Sequence, residues 1–318
     1  PKGIEAPFRS PTASYLWRYS ISGYGPGSRV GCNVFFVWEI FRPLLRGGTT
    51  VVIPDDVIFD AAALASYLEA KAITEVLFTP SLFETLLQST DAGMLRSLPL
   101  ETIWLNGEVV TTKLIERAKE LLPGVKFNNT YSISECGEVA AGQLDSQRED
   151  CPRFCPVGKI ADFAKHRLVD TETGEEVQKG SAGELWVSGR GVGLGYTKNP
   201  TKTAEAFVKH EGVDFYRTGD LARELHDGVL EILGRCDFMV KVRGYSIVLG
   251  AVESAITKLV GVSQCCAVAK GEEGSDKRIV AYIVPCNSSE LRGRLPLDSV
   301  DIDKYGRCAA LYQELLQE

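Results

Sequence analysis

Long apolar runs are missing from this 318-residue sequence. Stretches such as Ile103-Trp104-Leu105 and Cys265 to Ala269 fall far short of the ~20 residues that span a bilayer, so no membrane partner is expected. An excess of positive charge is missing too. Lysine and arginine number 35 against 42 aspartates and glutamates, a net charge of -7. That argues against a nucleic-acid partner, whose usual footprint is a basic face. Paired cysteine spacings are also absent: of nine cysteines, Cys151 and Cys155 stand apart and Cys265-Cys266 sit inside an apolar run. Only His166, His210 and His226 could assist a metal there. The cysteines therefore read as reduced cytoplasmic thiols packed like small apolar groups, and a structural metal is not expected. No secretory segment opens the chain, which starts Pro1-Lys2-Gly3 without methionine and reads as a piece of a longer protein.

What is present is an ordinary globular composition, 44% hydrophobic and 24% charged, over a length that suits roughly two domains. Short β-branched strands alternate with amphipathic helices, the α/β signature. Thr49 to Ile53, Glu75 to Thr79 and Glu101 to Leu105 read as strands, and Ala61 to Ala72 as a helix. Thr111 or Thr112 offers an N-cap for a further helix. Its Leu114, Ile115, Ala118, Leu121 and Leu122 recur with helical period before Pro123-Gly124 stops it. Val125 to Phe127 then leads into a polar stretch, Asn128 to Glu138, expected as a loop. From about Phe163 the texture turns to strands and turns, among them Gly183 to Val187, Val229 to Leu233 and Phe238 to Val242. After Gly244 come one helix, Leu249 to Leu259, and two strands, Gln264 to Ala269 and Ile279 to Val284. A domain boundary is expected near Asp237, giving a large domain over 1–236 and a small α+β domain over 237–318.

Several segments could carry chemistry. Asn129-Thr130-Tyr131-Ser132-Ile133-Ser134-Glu135 is dense in hydroxyls with one carboxylate. It suits either an ordinary polar turn or a nucleotide site in which Tyr131 stacks on a base and Glu135 holds Mg²⁺. The run Gly189 to Gly195 places glycine at every second position, lacks the third glycine of a dinucleotide loop and precedes a polar connector, which excludes a Rossmann site. Asp220, in Tyr216-Arg217-Thr218-Gly219-Asp220-Leu221, could accept the hydroxyls of a ribose. Gly234 to Asp237 and Lys241 to Gly244 crowd cations together, for which solvated surface charge is the alternative.

In this order and spacing the motifs resemble the adenylation domains of the superfamily that includes acyl-CoA synthetases, luciferases and peptide-synthetase modules. Pro1-Lys2-Gly3 is similar to the end of its phosphate loop, and Asn129 to Glu135 resembles its N-x-Y-G-x-[ST]-E motif with Ser132 in place of glycine. Gly183 to Gly195 with Tyr196, Asn199-Pro200 and Phe207, then Tyr216 to Leu221 and Gly234 to Gly244, resemble the motifs that follow. The resemblance implies that Asp220 and Arg235 bind ribose, that Tyr131 and Asn129 meet adenine, and that Lys2 and Ser134 lie toward the phosphates of ATP. Glu135 would hold Mg²⁺, and Asp237 would be the hinge of a mobile small domain. A closing lysine is expected in a G-K-x-D-R motif; Lys304 is the candidate, although Asp303 and Gly306 depart from the pattern and a surface lysine is the alternative.

Amino-acid-activating members pair an aspartate with the substrate ammonium, and Val34 stands at that position, which disfavours a standard α-amino acid. The same alignment lines the acid pocket with Val34, Phe35, Trp38, Phe78, Trp104, Asn106, Thr130, Glu138 and Val139. The segments around Trp38, Tyr131 to Cys136 and Arg235 to Gly250 most resemble synthetase-like carboxylic acid reductases of the aminoadipate and glycine-betaine types. That implies an acid loaded onto the phosphopantetheine of an adjacent carrier domain and released by a reductase domain. The aromatic faces could cage a quaternary ammonium with Glu138 adding charge, or simply hold an aryl or aliphatic tail. A free-standing acyl-CoA synthetase and a nucleotide-binding module without catalysis are the alternatives.

Overall fold

The computed structural model describes residues 2–33, 39–144, 154–236, 239–242, 245–256, 259, 261–270 and 278–285. Val34, Phe35, Trp38, Asp237 and Lys304 lie outside the described residues. The chain forms two compact units that divide between Ile232 and Leu233.

In the first unit the β-branched strand Thr49–Val52 pairs parallel with Arg29–Cys32, followed across the sheet by Glu75–Phe78, Thr102–Leu105 and Lys126–Ile133. Parallel neighbours need crossovers, which the helices Asp55–Ile58 and Ala61–Ala70, Pro80–Ser89 and Ala92–Ser97, and Thr112–Leu121 supply. The helix starts follow from local chemistry. Asp60 accepts from the amides of Ala62 and Ala63 at 3.0 and 2.9 Å, and Thr111 accepts from that of Leu114 at 3.3 Å. The apolar stripe of Thr112–Leu121 buries Leu114, Ile115 and Ala118. With Leu64, Leu68, Phe83 and the strand residues Val76 and Ile103 it closes the first core.

At Lys126–Ile133 the direction of pairing changes. This strand runs antiparallel to Gly137–Gln143, and the sheet continues through Gly158–Ile160, Val229–Arg235, Val213–Glu224, Ala182–Gly189 and Ala164–Val169, with Phe207–His210 also on Val213–Glu224. Twelve described strands thus share one mixed sheet, whose antiparallel half closes a second core around Val139, Leu185, Val187, Tyr216 and Leu230. The expected loop over Asn128 to Glu138 is therefore corrected to a hairpin turning at Ser134 to Cys136. The polar residues misled because their side chains are buried and satisfied: Asn129 donates to the carbonyls of Cys155 and Pro156, and Thr130 to that of Ala140, each at 3.1 Å.

In the second unit Met239–Val242 pairs with Tyr245–Val248, the helix Leu249–Ile256 follows, and Val262–Lys270 pairs antiparallel with Arg278–Pro285. Glu253 of that helix accepts from the amide of Ala267 at 2.8 Å, tying helix to strand. Among the described residues no helix is long and apolar enough to cross a membrane.

Candidate active site

The hairpin at the centre of the large sheet carries chemistry on both strands. Tyr131, just before a register shift, donates its phenol hydrogen bond to the carboxylate of Asp220, which arrives on the strand Val213–Glu224, four places further along the sheet. Burial, reinforced by the negative charge of Asp220, raises the Tyr131 pKa well above its ordinary value, so the phenol remains a donor. The strand irregularity before Asp220 is fixed by its neighbour: Thr218 donates to the carbonyl of Leu185 at 2.7 Å and accepts from the Asp220 amide at 2.9 Å. A flat ring and a buried carboxylate are thus locked side by side.

Glu135, at the hairpin turn, meets a second cluster. Tyr196 donates to Glu135 Oε1 at 2.8 Å, lies 3.2 Å from the Tyr216 hydroxyl, and accepts from Lys2 Nζ at 3.1 Å. Lys2 also sits 4.4 Å from the centre of the Tyr196 ring and 3.8 Å from Glu135 Oε1. The glycine-rich segment braces this turn from behind. The Gly193 amide donates to the Glu135 carbonyl at 2.7 Å, and a Cβ on Gly191 would come within 2.3 Å of the Cys136 carbonyl oxygen. Close backbone approach, not a phosphate cradle, explains those glycines.

On the other strand of the hairpin, Glu138 lies across from Ser132 and enters a buried ionic cluster. Arg18 Nη2 reaches Glu138 Oε1 at 3.0 Å, Arg42 Nη2 reaches Oε2 at 3.1 Å, and Ser14 donates to Oε2 at 2.6 Å. Arg42 also holds Glu39 at 2.8 Å. Burial alone would raise the Glu138 pKa, but Arg18, Arg42 and the Ser14 hydrogen bond reverse it and hold the carboxyl below its usual range. For Arg42, burial works against the charge, and Glu138 and Glu39 outweigh it. The Arg18 guanidinium lies 3.3 Å from the centre of the Trp104 ring.

Ser134 is exposed at the turn beside Glu135. Phe78 packs 6.0 Å from Phe83 within the first core, and Val139 belongs to the second. Asn106 donates to Ser132 Oγ at 2.6 Å, joining the end of Thr102–Leu105 to the hairpin. Asn129 spends its amide on the Cys155-Pro156 carbonyls. Arg235 closes its strand in the second unit, exposed. Sequence reasoning missed the roles of Tyr196 and Tyr216, though both stand inside motifs it used. It also missed Arg18, Arg42 and Glu39, which no motif marks. The free charge expected of Glu138 is met within the chain by two guanidiniums.

Residues fit for a divalent cation are limited. Among the described residues no group of three or more acidic, histidine or cysteine side chains could enclose one. Glu135 offers a single carboxylate whose Oε2 takes no hydrogen bond from the described residues, which suits Mg²⁺ completing its shell with water and phosphate oxygens.

A mixed sheet with a buried tyrosine–aspartate contact, followed in sequence by a small unit, is the architecture of an adenylate-forming domain. Residues 28–197 match the family of AMP-binding enzymes, to which the chain belongs. Over 290 residues it is 47% identical to the glycine betaine reductase ATRR of Emericella nidulans, covering 89% of this chain and 23% of that protein. It is 31% identical to gramicidin S synthase 2 of Brevibacillus brevis, covering 89% of this chain and 6% of that protein. Among solved structures, a four-domain nonribosomal peptide synthetase bound to AMP and glycine superposes with a TM-score of 0.75 at 26% identity, covering 90% of this chain and 22% of that one. The chain therefore spans less than a quarter of the length of these relatives.

Proposed function

We propose that this chain activates a small carboxylic acid with ATP and hands the acyl group to the phosphopantetheine thiol of a carrier domain, within a synthetase-like carboxylic acid reductase. The observation that carries the reading is the central hairpin. One strand and its turn present Tyr131 and Glu135 to Asp220 and Tyr196, and the other strand presents Glu138 to Arg18 and Arg42. In the first half-reaction a carboxylate oxygen of the acid attacks the α-phosphorus of ATP. The acyl–oxygen–phosphorus bond forms as the bond to pyrophosphate breaks. Two anions meet, so positive charge must offset them. Lys2 supplies part of it, and Glu135 would hold a Mg²⁺ that would add to it, with Ser134 at the phosphates, while Tyr131 stacks on adenine, Asp220 accepts from the ribose hydroxyls and Arg235 supports them as a donor. In the second, the thiol sulfur attacks the acyl carbon and AMP leaves. Asp237 is the hinge for that change and Lys304 the closing lysine, and the hinge marks the domain boundary.

The acid we favour is a betaine-type quaternary ammonium acid. The support is the 47% identical relative named as a glycine betaine reductase and a valine, Val34, where an ammonium partner would stand. The aromatic positions Phe35 and Trp38 supply cation–π attraction to such a head group. ATP–pyrophosphate exchange across betaine, aminoadipate and benzoate tests this. Exchange with betaine is the expected result; exchange with benzoate alone would discard the quaternary ammonium and keep the enzyme.

A further inference from the structure

We infer that Arg18 is a specificity-determining residue that closes the far end of the acid pocket and limits it to short acids. The role rests on the acyl-pocket reading of Trp104 and Glu138. Those two side chains form a seat for a cation, an aromatic face beside a carboxylate, and in the structure a guanidinium of the chain itself sits there. Arg18 lies 3.3 Å from the centre of the Trp104 ring and 3.0 Å from Glu138. It comes from the helix Arg9–Ile21, outside every adenylation motif, and is completely buried.

Three physical points make it a wall. An arginine cannot shed its charge at any relevant pH, and withdrawing it would leave Glu138 Oε1 without its cation, only Oε2 being held by Arg42 and Ser14. Arg18 and Arg42 face Glu39 and Glu138, and the buried Glu75 also lies in the field of both guanidiniums. Moreover, Arg18 Nε and Nη1 and Trp104 Nε1 find no hydrogen-bond partner among the described residues. The guanidinium is thus held by stacking and charge, which fill space, and not by a network that would need it elsewhere. A long cationic tail would meet both its volume and its like charge. A short acid ends before reaching it.

The test uses the full chain and two homologous series, straight-chain fatty acids and ω-trimethylammonio acids beginning with betaine. Arg18→Ala empties the seat and leaves Glu138 with surplus negative charge. It is expected to gain about tenfold in pyrophosphate release with 4-(trimethylammonio)butyrate relative to betaine. The same acid should raise the melting temperature of the variant and not of the wild type. Because Arg18→Ala unbalances a buried cluster, the double variant Arg18→Ala/Glu39→Gln keeps one guanidinium against one carboxylate. It is expected to accept longer fatty acids, gaining volume without charge. If neither variant shows a longer limit in either series, and neither melt responds to the long cationic acid, Arg18 sets nothing. Pyrophosphate release by the wild type reports separately on acid activation, so that reading can fail while the melting shifts still judge the seat.

Discussion

At the residue scale the site depends on hydrogen bonds that pin side chains before any ligand arrives. Tyr131→Phe removes the donor to Asp220 and leaves a buried carboxylate short of one partner, a loss of about 1.5–3 kcal/mol for a bond to a charged group. The ATP KM should rise about tenfold or more, with the acid KM little changed, in steady-state pyrophosphate release. A shift confined to the acid KM would contradict the nucleotide-side assignment. Thiol chemistry is equally local. Cys136 is buried and its pKa is raised well above normal by burial, whereas Cys266 is exposed. Iodoacetamide should label Cys266 first and Cys136 only after unfolding, as read by peptide mass spectrometry. Cys155 is pushed up to about 11 by burial. A raised thiol contributes stability that is complete below its unfolded value of ~8.5 and lost as pH climbs towards 11. Cys155→Ser should flatten that alkaline loss in denaturant titrations.

At the scale of elements, the turn that holds Glu135 is set by a neighbouring loop. A Cβ at Gly191 would press on the Cys136 carbonyl oxygen at 2.3 Å, whereas one at Gly25 meets nothing within 4 Å. Gly191→Ala should shift the turn, cost about 1–3 kcal/mol of stability and slow adenylation, while Gly25→Ala should do neither. Parallel loss in the two variants, by melting and by pyrophosphate release, would show that the close approach does not matter. The helices Ala61–Ala70 and Thr112–Leu121 were legible from their local pattern, the second with its threonine cap and buried stripe, whereas Arg9–Ile21, which begins without a side-chain cap, was not. The central hairpin was not. Asn128, Asn129 and Thr130 look like loop residues, and only their long-range partners make them strand residues.

At the scale of the whole molecule, the ionic cluster joins the helix Arg9–Ile21 and Arg42 of the short helix Phe41–Leu44 to the central hairpin. Its members are separated by up to 124 residues in sequence, as in the Ser14–Glu138 bond. Glu138→Gln should destabilise by about 3–5 kcal/mol, because two guanidiniums are left short of a buried anion. In the wild type the Glu138 pKa is depressed by Arg18, Arg42 and Ser14 against the effect of burial. Its contribution is therefore complete above the ordinary carboxylate value of ~4.3 and lost as pH falls through the lower folded value. Acid titration followed by circular dichroism should show a shallower acid limb in Glu138→Gln. An unchanged limb would place the acid sensitivity elsewhere.

The sequence by itself determined the α/β alternation, the helix caps and the nucleotide motifs. These depend on local spacing, turn chemistry and short runs that a chain displays in order. The motifs around Tyr131, Glu135 and Asp220 lie on segments far apart along the chain, and the contact between Tyr131 and Asp220 spans 89 residues and exists only once the folded sheet brings their strands together. What the tertiary structure alone decided is the setting of Glu138 and Trp104. A glutamate that reads as a free charge is neutralised, and a tryptophan that reads as an open face is covered. Arg18 does both from a helix that no motif marks. Charge pairing and stacking act through space, so their partners carry no signature along the chain.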